Sequence, residues 1–228
     1  MQEKGKLIIL EAGDGSGKAT QTRLLADRLC AEGRRVRQIE FPDYGSPSSA
    51  LVRMYLGGDF GARASEVNAY AASAFFAVDR YASFQTKWRT DYEAGFVILA
   101  DRYTTANMVH QAVKLENAAE RDAFLAWIED FEYGKLALPR PDLVVFLDMD
   151  PAVSRRLLAA RAAASGAEKD IHECDAGYLE RCHAASVALA ARLGWQRIVC
   201  SSAGEPLARE LVHEKIYEAV RRVLEGSL

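Results

Sequence analysis

A glycine-rich segment near the start of the chain has the residue types and spacing of a phosphate-binding loop. Residues 7–25 read LIILEAGDGSGKATQTRLL, an apolar run followed by alternating glycines, Lys18 and a helical pattern. Glycines let backbone N–H groups converge on phosphate oxygens, and a following helix N-terminus adds positive potential. The sequence therefore predicts a site for nucleotide phosphates made of Ala12, Gly13, Asp14, Gly15, Ser16, Gly17, Lys18, Ala19 and Thr20.

This segment departs from the strict pattern G-x-x-x-x-G-K-[S/T] at both ends. Ala12 stands at the first glycine and Ala19 at the hydroxyl position. A glycine-rich turn that binds nothing is the alternative. Turn chemistry alone does not account for three alternate glycines and a lysine placed directly after a buried strand, so a phosphate loop is favoured.

A charged cluster follows the third predicted strand, at Asp101-Arg102-Tyr103. In a parallel sheet, the carboxyl end of this strand lies beside the phosphate loop. An arginine there suits a phosphate dianion because its planar guanidinium binds two oxygens at once. A surface ion pair at a strand end is the alternative interpretation.

An aromatic residue and an arginine share one face of a long predicted helix. Phe76 and Arg80 are at positions i and i+4, which places them one above the other. Such a pair has the chemistry to stack on a nucleobase and to donate a hydrogen bond to its carbonyl edge. An apolar core residue beside a solvated arginine would give the same spacing.

Apolar runs and helical patterns alternate along the whole chain, which predicts a doubly wound parallel sheet of five strands flanked by helices, of the P-loop NTPase type. Three runs, LIIL, FVILA and LVVFL, are apolar throughout and suit strands buried on both faces. The predicted strands are Leu7–Leu10, Val36–Phe41, Phe96–Ala100, Leu143–Leu147 and Arg197–Cys200. The predicted helices are Gln21–Ala31, Val67–Ala94, Ala118–Tyr133, Pro151–Ala164, Ala176–Leu193 and Leu207–Leu224.

Length and composition predict a single domain over residues 1–228, with a small lid at about residues 163–175. The net charge of −3 argues against a nucleic-acid partner, and no apolar run is long enough to predict a membrane span. The N-terminus lacks the apolar core of a signal peptide. Four cysteines without a paired spacing predict reduced thiols and a cytoplasmic location.

Taken in order, these motifs resemble the thymidylate kinase family along nearly the whole chain. The shared elements are E-x-x-D-G-x-G-K-x-T-Q, then F-P, then F-x-x-x-D-R, then D-R-Y and a charged lid. The resemblance implies transfer of the γ-phosphoryl group of ATP to dTMP, with Mg²⁺ as the metal. It also implies a homodimer.

The same resemblance implies an acceptor site for dTMP. Phe76 would stack on thymine, Arg80 would hydrogen-bond its edge, and Arg102 would hold the phosphate. Asn107 falls where some members recognise the base. The remaining implied positions, at the nucleotide loop and beside the sugar, are Phe41, Tyr44 and His110.

For catalysis the resemblance implies Lys18, Arg102 and Asp14, together with a cation from the lid. The loop carries Gly15-Ser16 where some members have arginine, so the cation is expected from Arg161 or Lys169, with Arg155 and Arg156 further back. Asp14 would bind the sugar 3′-hydroxyl or a metal-bound water. Asp14 and Asp101 would hold Mg²⁺ through water.

Three residues near the implied site differ from the usual family pattern. Asp43 stands where many members have an arginine for the acceptor phosphate, and its charge would repel a dianion. His110 stands where a tyrosine commonly crowds the 2′ carbon, which predicts looser exclusion of ribonucleotides. Ala19 lacks the hydroxyl that usually reaches Mg²⁺.

Two other functions are compatible with these residues. A deoxynucleoside kinase shares the phosphate loop and the D-R motif, but it needs a carboxylate base such as Glu40 or Asp43 beside a hydroxyl acceptor. A nucleotide-binding regulator without turnover would explain Ala12 and Ala19. Activity with dTMP, with thymidine or with neither distinguishes the three.

Overall fold

The computed structural model describes residues 4–165, 171 and 175–226. The strands of its main sheet are β1 (Lys6–Ala12), β2 (Val36–Glu40), β3 (Val97–Asp101), β4 (Leu143–Asp148) and β5 (Gln196–Val199). They are parallel and lie in the order β2-β3-β1-β4-β5. The predicted five-stranded parallel sheet is thereby confirmed, with strand ends shifted by one or two residues.

Helices cover both faces of this sheet. They are α1 (Lys18–Ala31), α2 (Ala50–Gly57), α3 (Ala69–Ser83), α4 (Arg89–Glu93), α5 (Thr104–His110), α6 (Ala118–Glu129), α7 (Pro151–Ser165), α8 (Ala176–Leu193) and α9 (Arg209–Leu224). In β1, Ile8 and Leu10 pack towards α1 and α9, whereas Leu7 and Ile9 pack towards α5, α6 and α8. Within the described ranges, no helix has the length and apolar character to cross a membrane.

Two π-helical segments interrupt helices that the sequence pattern predicts as continuous. The first, Phe84–Trp88, separates α3 from α4 and buries Phe84 against Trp88, with ring centroids 4.6 Å apart. The second, Asp130–Lys135, extends α6 and buries Glu132 completely. A pattern with a period of 3.6 residues cannot reveal the extra residue in a π turn.

Helices α2 and α5 were not predicted, because helices of 8 and 7 residues are too short to show a clear period. Short 3₁₀ segments at Pro47–Ser49, Ala64–Glu66 and Ala112–Lys114 connect neighbouring elements. A small hairpin of β6 (Ser201–Ser202) and β7 (Glu205–Pro206) precedes α9.

Strand register places the chemically interesting segments side by side. Leu10 of β1 and Glu40 of β2 both pair in register with Asp101 of β3. The loop at residues 13–17 therefore leaves the sheet beside Asp101 and Arg102, as expected for a ligand site at the carboxyl ends of parallel strands.

The predicted lid at residues 163–175 lies mostly outside the described residues. Residues 163–165 belong to α7, where the prediction ended the helix one residue earlier. Ile171 is described, and its backbone N–H donates to the carbonyl of Leu56 in α2 at 3.3 Å. This contact joins the lid region to α2, which follows the loop of Phe41 and Tyr44 in the chain.

Candidate active site

The loop at residues 13–17 connects β1 to α1 through two glycines with a left-handed backbone. Gly15 has φ +77° and Gly17 has φ +83°. A Cβ at Gly15 would lie 2.7 Å from the Ser154 carbonyl oxygen, so both its conformation and the close approach of α7 require glycine. The Ser16 hydroxyl donates to the Gly13 carbonyl at 2.7 Å and tightens the turn.

Lys18 begins α1, and its ammonium pairs with the carboxylate of Asp101 at the end of β3. Both side chains are largely buried. Burial and, after it, the nearby charge of Arg102 lower the pKa of Lys18 to about 7, against the raising effect of the carboxylates of Glu11, Asp14 and Glu40. A phosphate that reaches Lys18 would compete with Asp101 for its N–H groups.

Arg102 points back at the phosphate loop from a strained backbone position. Its φ of +65° is unusual for a residue with a side chain. Its Nη2 donates to Asp14 Oδ1 at 2.6 Å, and its Nη1 donates to Glu11 Oε1 at 3.4 Å. The fold thus directs the guanidinium to the junction of β1, β3 and the loop.

Asp14 lies in a positive environment. Burial by itself would raise the pKa of Asp14, but Arg102, His110 and Lys18 together hold it below the usual value. Asp14 is therefore an ionised carboxylate at neutral pH.

A cavity of about 350 Å³ opens beside these charged groups. Asp14, Lys18 and Asp101 line one end of it. It is also lined by every residue that the sequence analysis placed in the acceptor site, namely Phe41, Tyr44, Phe76, Arg80, Arg102, Asn107 and His110. Residues from four separate segments of the chain therefore share one space that ends at the phosphate loop.

At the base end of this cavity, formed by Phe76, Arg80 and Asn107, aromatic and charged side chains pack closely. The ring of Phe76 packs edge-on against Tyr55, with centroids 6.0 Å apart. Arg80 is almost fully buried and forms two short hydrogen bonds with Glu132, at 2.6 and 2.7 Å. Burial alone would lower the pKa of Arg80, but the Glu132 charge raises it above its usual value.

His110 links the charged end of the cavity to α8. Its Nε2 lies 3.3 Å from Arg102 Nη1, and its Nδ1 lies 3.4 Å from the Tyr178 hydroxyl and 3.5 Å from Cys182 Sγ. The looser exclusion of ribonucleotides expected from this histidine stays a prediction.

Asp43 is not among the residues that line the acceptor cavity, and the repulsion of the acceptor phosphate expected from its charge stays a prediction. Its carboxylate pairs with Lys87 at 2.5 Å, and its backbone N–H donates to Asp79 at 2.8 Å. Glu40, by contrast, is among the lining residues. Of the two carboxylates considered for a deoxynucleoside kinase, only Glu40 therefore reaches this space.

The sequence analysis missed Gln111, which also lines the cavity. Its side chain is fully buried, and neither amide atom has a hydrogen-bond partner among the described residues. Once α5 is known, Asn107, His110 and Gln111 are spaced i, i+3 and i+4 on one face. The helix was not predicted, so that spacing carried no signal.

The expected lid cations fall largely outside what the structure describes. Arg161 lies in α7, but its side chain is not described, and Lys169 is outside the described residues. Arg155 and Arg156, earlier in α7, pair with Glu180 at 2.6 Å and with Glu205 at 2.7 Å.

The protein offers few direct ligands for a metal ion. In the described part of the chain, no three His, Cys, Asp or Glu side chains form a metal-binding cluster. Asp14 and Asp101 are carboxylates at the cavity edge, but each is paired with a cation. This donor set fits a metal bound chiefly by nucleotide phosphates and reached by the carboxylates through water.

Comparison with known proteins assigns the chain to a family. The model of the thymidylate kinase family matches residues 10–216. The chain belongs to the thymidylate kinase family. The thymidylate kinase of Mycobacterium tuberculosis is 36% identical over 192 residues, which cover 83% of this chain and 87% of that protein. The human thymidylate kinase is 30% identical over 166 residues, covering 73% and 69%.

A solved thymidylate kinase structure has the same fold. The enzyme from Candida albicans superimposes with a TM-score of 0.67 at 19% identity, covering 96% of this chain and 92% of that one. The family resemblance and the P-loop NTPase type of fold expected from the motifs are therefore confirmed.

Proposed function

We propose that this member of the thymidylate kinase family transfers the γ-phosphoryl group of ATP to dTMP, with ATP on the loop at residues 12–20 and dTMP in the neighbouring cavity. One observation carries the placement of the two substrates. The residues that the family resemblance places in the dTMP site line a single cavity, and Lys18 of the phosphate loop lines the same cavity. The products are ADP and dTDP.

Each group has a defined task in this arrangement. Phosphoryl transfer depends on alignment and on stabilisation of negative charge rather than on covalent catalysis. Lys18 contacts the outer phosphates of ATP, while Arg102 grips the phosphate of dTMP. Asp14, held as a carboxylate beside Arg102, accepts a hydrogen bond from the sugar 3′-hydroxyl or from a metal-bound water. The remaining cation comes from the lid, from Arg161 or Lys169.

An acceptor panel at fixed ATP and Mg²⁺ tests this function. Turnover of dTMP without turnover of thymidine is expected, because Arg102 provides for a phosphate. Thymidine as the sole acceptor would instead indicate a deoxynucleoside kinase with Glu40 as base, and no turnover with either would indicate a binding protein. The family assignment does not favour either alternative.

Stacking on Phe76 is tested by a pair of neighbouring aromatic residues. Phe76→Ala should weaken dTMP binding by roughly 1–3 kcal/mol, the usual contribution of one base stacked on an aromatic ring. Phe75→Ala is the matched control, because Phe75 packs on Phe60 at 5.4 Å and does not line the cavity. Calorimetric titration with dTMP measures both, and an equal loss in the two variants would place the base elsewhere.

Mg²⁺ is the metal that we propose for this site, and Asp14 and Asp101 would hold it through water. When bound with ATP, it supplies positive charge at the β- and γ-phosphates. Ala19→Thr adds the hydroxyl oxygen that the usual loop provides, so the Mg²⁺ concentration for half-maximal rate should fall. Ala19→Val has the same shape without the oxygen and serves as control. Identical Mg²⁺ dependence in the two variants would contradict a missing ligand at this position.

We also propose that two copies associate through α3. Tyr70, Val78 and Tyr81 are 40%, 49% and 41% exposed and lie on one side of this helix. Aromatic and aliphatic residues exposed together are typical of interfaces. Sedimentation equilibrium measures the predicted homodimer.

The organisation of residues 1–228 as a single domain and the cytoplasmic location stay predictions.

A further inference from the structure

A buried carboxylate contacts three polar side chains at the base end of the cavity. Glu132 accepts hydrogen bonds from Arg80 Nε at 2.7 Å and Nη2 at 2.6 Å. It also accepts from the Thr104 hydroxyl at 2.8 Å and from Asn107 Nδ2 at 3.4 Å. The π-helical segment 130–135 places Glu132 in the interior, with no exposed surface. The transfer chemistry described above makes no use of this residue.

Glu132 restricts how its neighbours orient their hydrogen-bonding groups. An ionised carboxylate only accepts hydrogen bonds, so each neighbour must turn a donor towards it. Asn107 Nδ2 faces two acceptors, Glu132 and the backbone carbonyl of Ser73 at 3.2 Å. With both amide hydrogens engaged there, the amide oxygen of Asn107 is the atom that remains for a ligand.

The same carboxylate selects which nitrogen of Arg80 remains for a ligand. Nε and Nη2 are engaged by Glu132. Nη1 donates one N–H to the Tyr103 carbonyl at the longer distance of 3.4 Å. Its second N–H is the one that remains for a ligand. Arg80 and Asn107 both line the cavity, so this end offers a donor beside an acceptor.

We propose that Glu132 is a positioning residue that sets base specificity, by leaving an Nη1 N–H of Arg80 for the base and by holding Asn107 as an acceptor. The inference rests on the proposed placement of dTMP in this cavity. Thymine presents a carbonyl next to a ring N–H, which complements that pattern. Cytosine presents an amino group next to a bare ring nitrogen, which mismatches it at both positions and leaves buried polar groups unpaired.

The test measures kcat/KM for dTMP and for 5-methyl-dCMP. The two bases differ only in having a carbonyl beside a ring N–H or an amino group beside a bare ring nitrogen. Glutamine at position 132 both donates and accepts, so it no longer requires a donor from Asn107, and only the Ser73 carbonyl still favours the present amide orientation. Glu132→Gln should lower the ratio of the two kcat/KM values by about tenfold or more, as for loss of one hydrogen bond, while the KM for ATP stays within about twofold. Glu129→Gln is the matched control and should leave the ratio unchanged. Glu129 is the last residue of α6, three residues before Glu132, and this change removes an exposed ion pair with Arg140.

Glu132→Asp separates recognition from packing. Aspartate keeps a negative charge that only accepts hydrogen bonds, but its side chain is shorter. The ratio of kcat/KM for dTMP to kcat/KM for 5-methyl-dCMP should therefore persist, while the KM for dTMP rises. If Glu132→Gln fails to fold, Glu132→Asp carries the test, because it retains both charges of the buried pair. A folded Glu132→Gln with the wild-type ratio, or a Glu132→Asp that loses the ratio or keeps the wild-type KM for dTMP, would overturn the proposal. A wild type that does not phosphorylate dTMP would contradict the proposed function instead, before any variant is compared.

Discussion

Replacing Lys18 with alanine is expected to lower kcat by about 100-fold or more, the usual cost of removing a preorganised positive charge from the transferring group. Lys18 is the cation at the start of α1, and its side chain lines the cavity beside Asp101 and Arg102. The charge that builds up on the phosphoryl group would lose its contact from the loop. Initial rates at saturating ATP and dTMP measure the effect.

Two controls isolate the role of this charge. Lys135→Ala removes an exposed lysine that pairs with Asp130 and should leave kcat unchanged. Thermal melting of Lys18→Ala shows whether the unpaired Asp101 has destabilised the fold. A folded Lys18→Ala with near-normal turnover would mean that the loop does not bind the transferred phosphate.

Replacing Arg102 with alanine should lower kcat/KM for dTMP by about 100- to 1,000-fold, because a charged donor at the reacting phosphate is lost. The loss should appear both as a lower kcat and as a higher KM for dTMP, with little change in the KM for ATP. Arg102→Lys keeps the charge but loses the paired N–H groups that match a phosphate, so it should restore only part of the loss.

The same substitution changes the surroundings of Asp14. Arg102 Nη2 donates to Asp14 at 2.6 Å and helps to hold its pKa low, so the pKa of Asp14 should rise in Arg102→Ala. Activity in the variant should then fall further at acidic pH than activity in the wild type. Arg89→Ala, which removes an exposed pair with Glu93, is the control. An unchanged KM for dTMP in Arg102→Ala would place the acceptor phosphate elsewhere.

The segments whose chemistry is local could be predicted from the sequence. Ala12–Thr20 are contiguous, and glycines at alternate positions permit the left-handed backbone of such a loop whatever surrounds it. The three central strands β1, β3 and β4 were predicted because a strand buried on both faces is continuously apolar, which is a property of the segment itself. The motif at Asp101-Arg102 follows from the same reasoning, since the end of a parallel strand has a defined neighbour across the sheet.

Contacts between distant segments were decided only by the tertiary structure. Arg80 and Glu132 are 52 residues apart, and they meet because a π turn carries Glu132 inwards. Asp43 likewise pairs with Lys87, 44 residues away. Periodicity reports which face of an element is buried, but not which side chain on another element it meets. That choice depends on how the elements pack, and it sets the hydrogen-bonding pattern at the base end of the cavity.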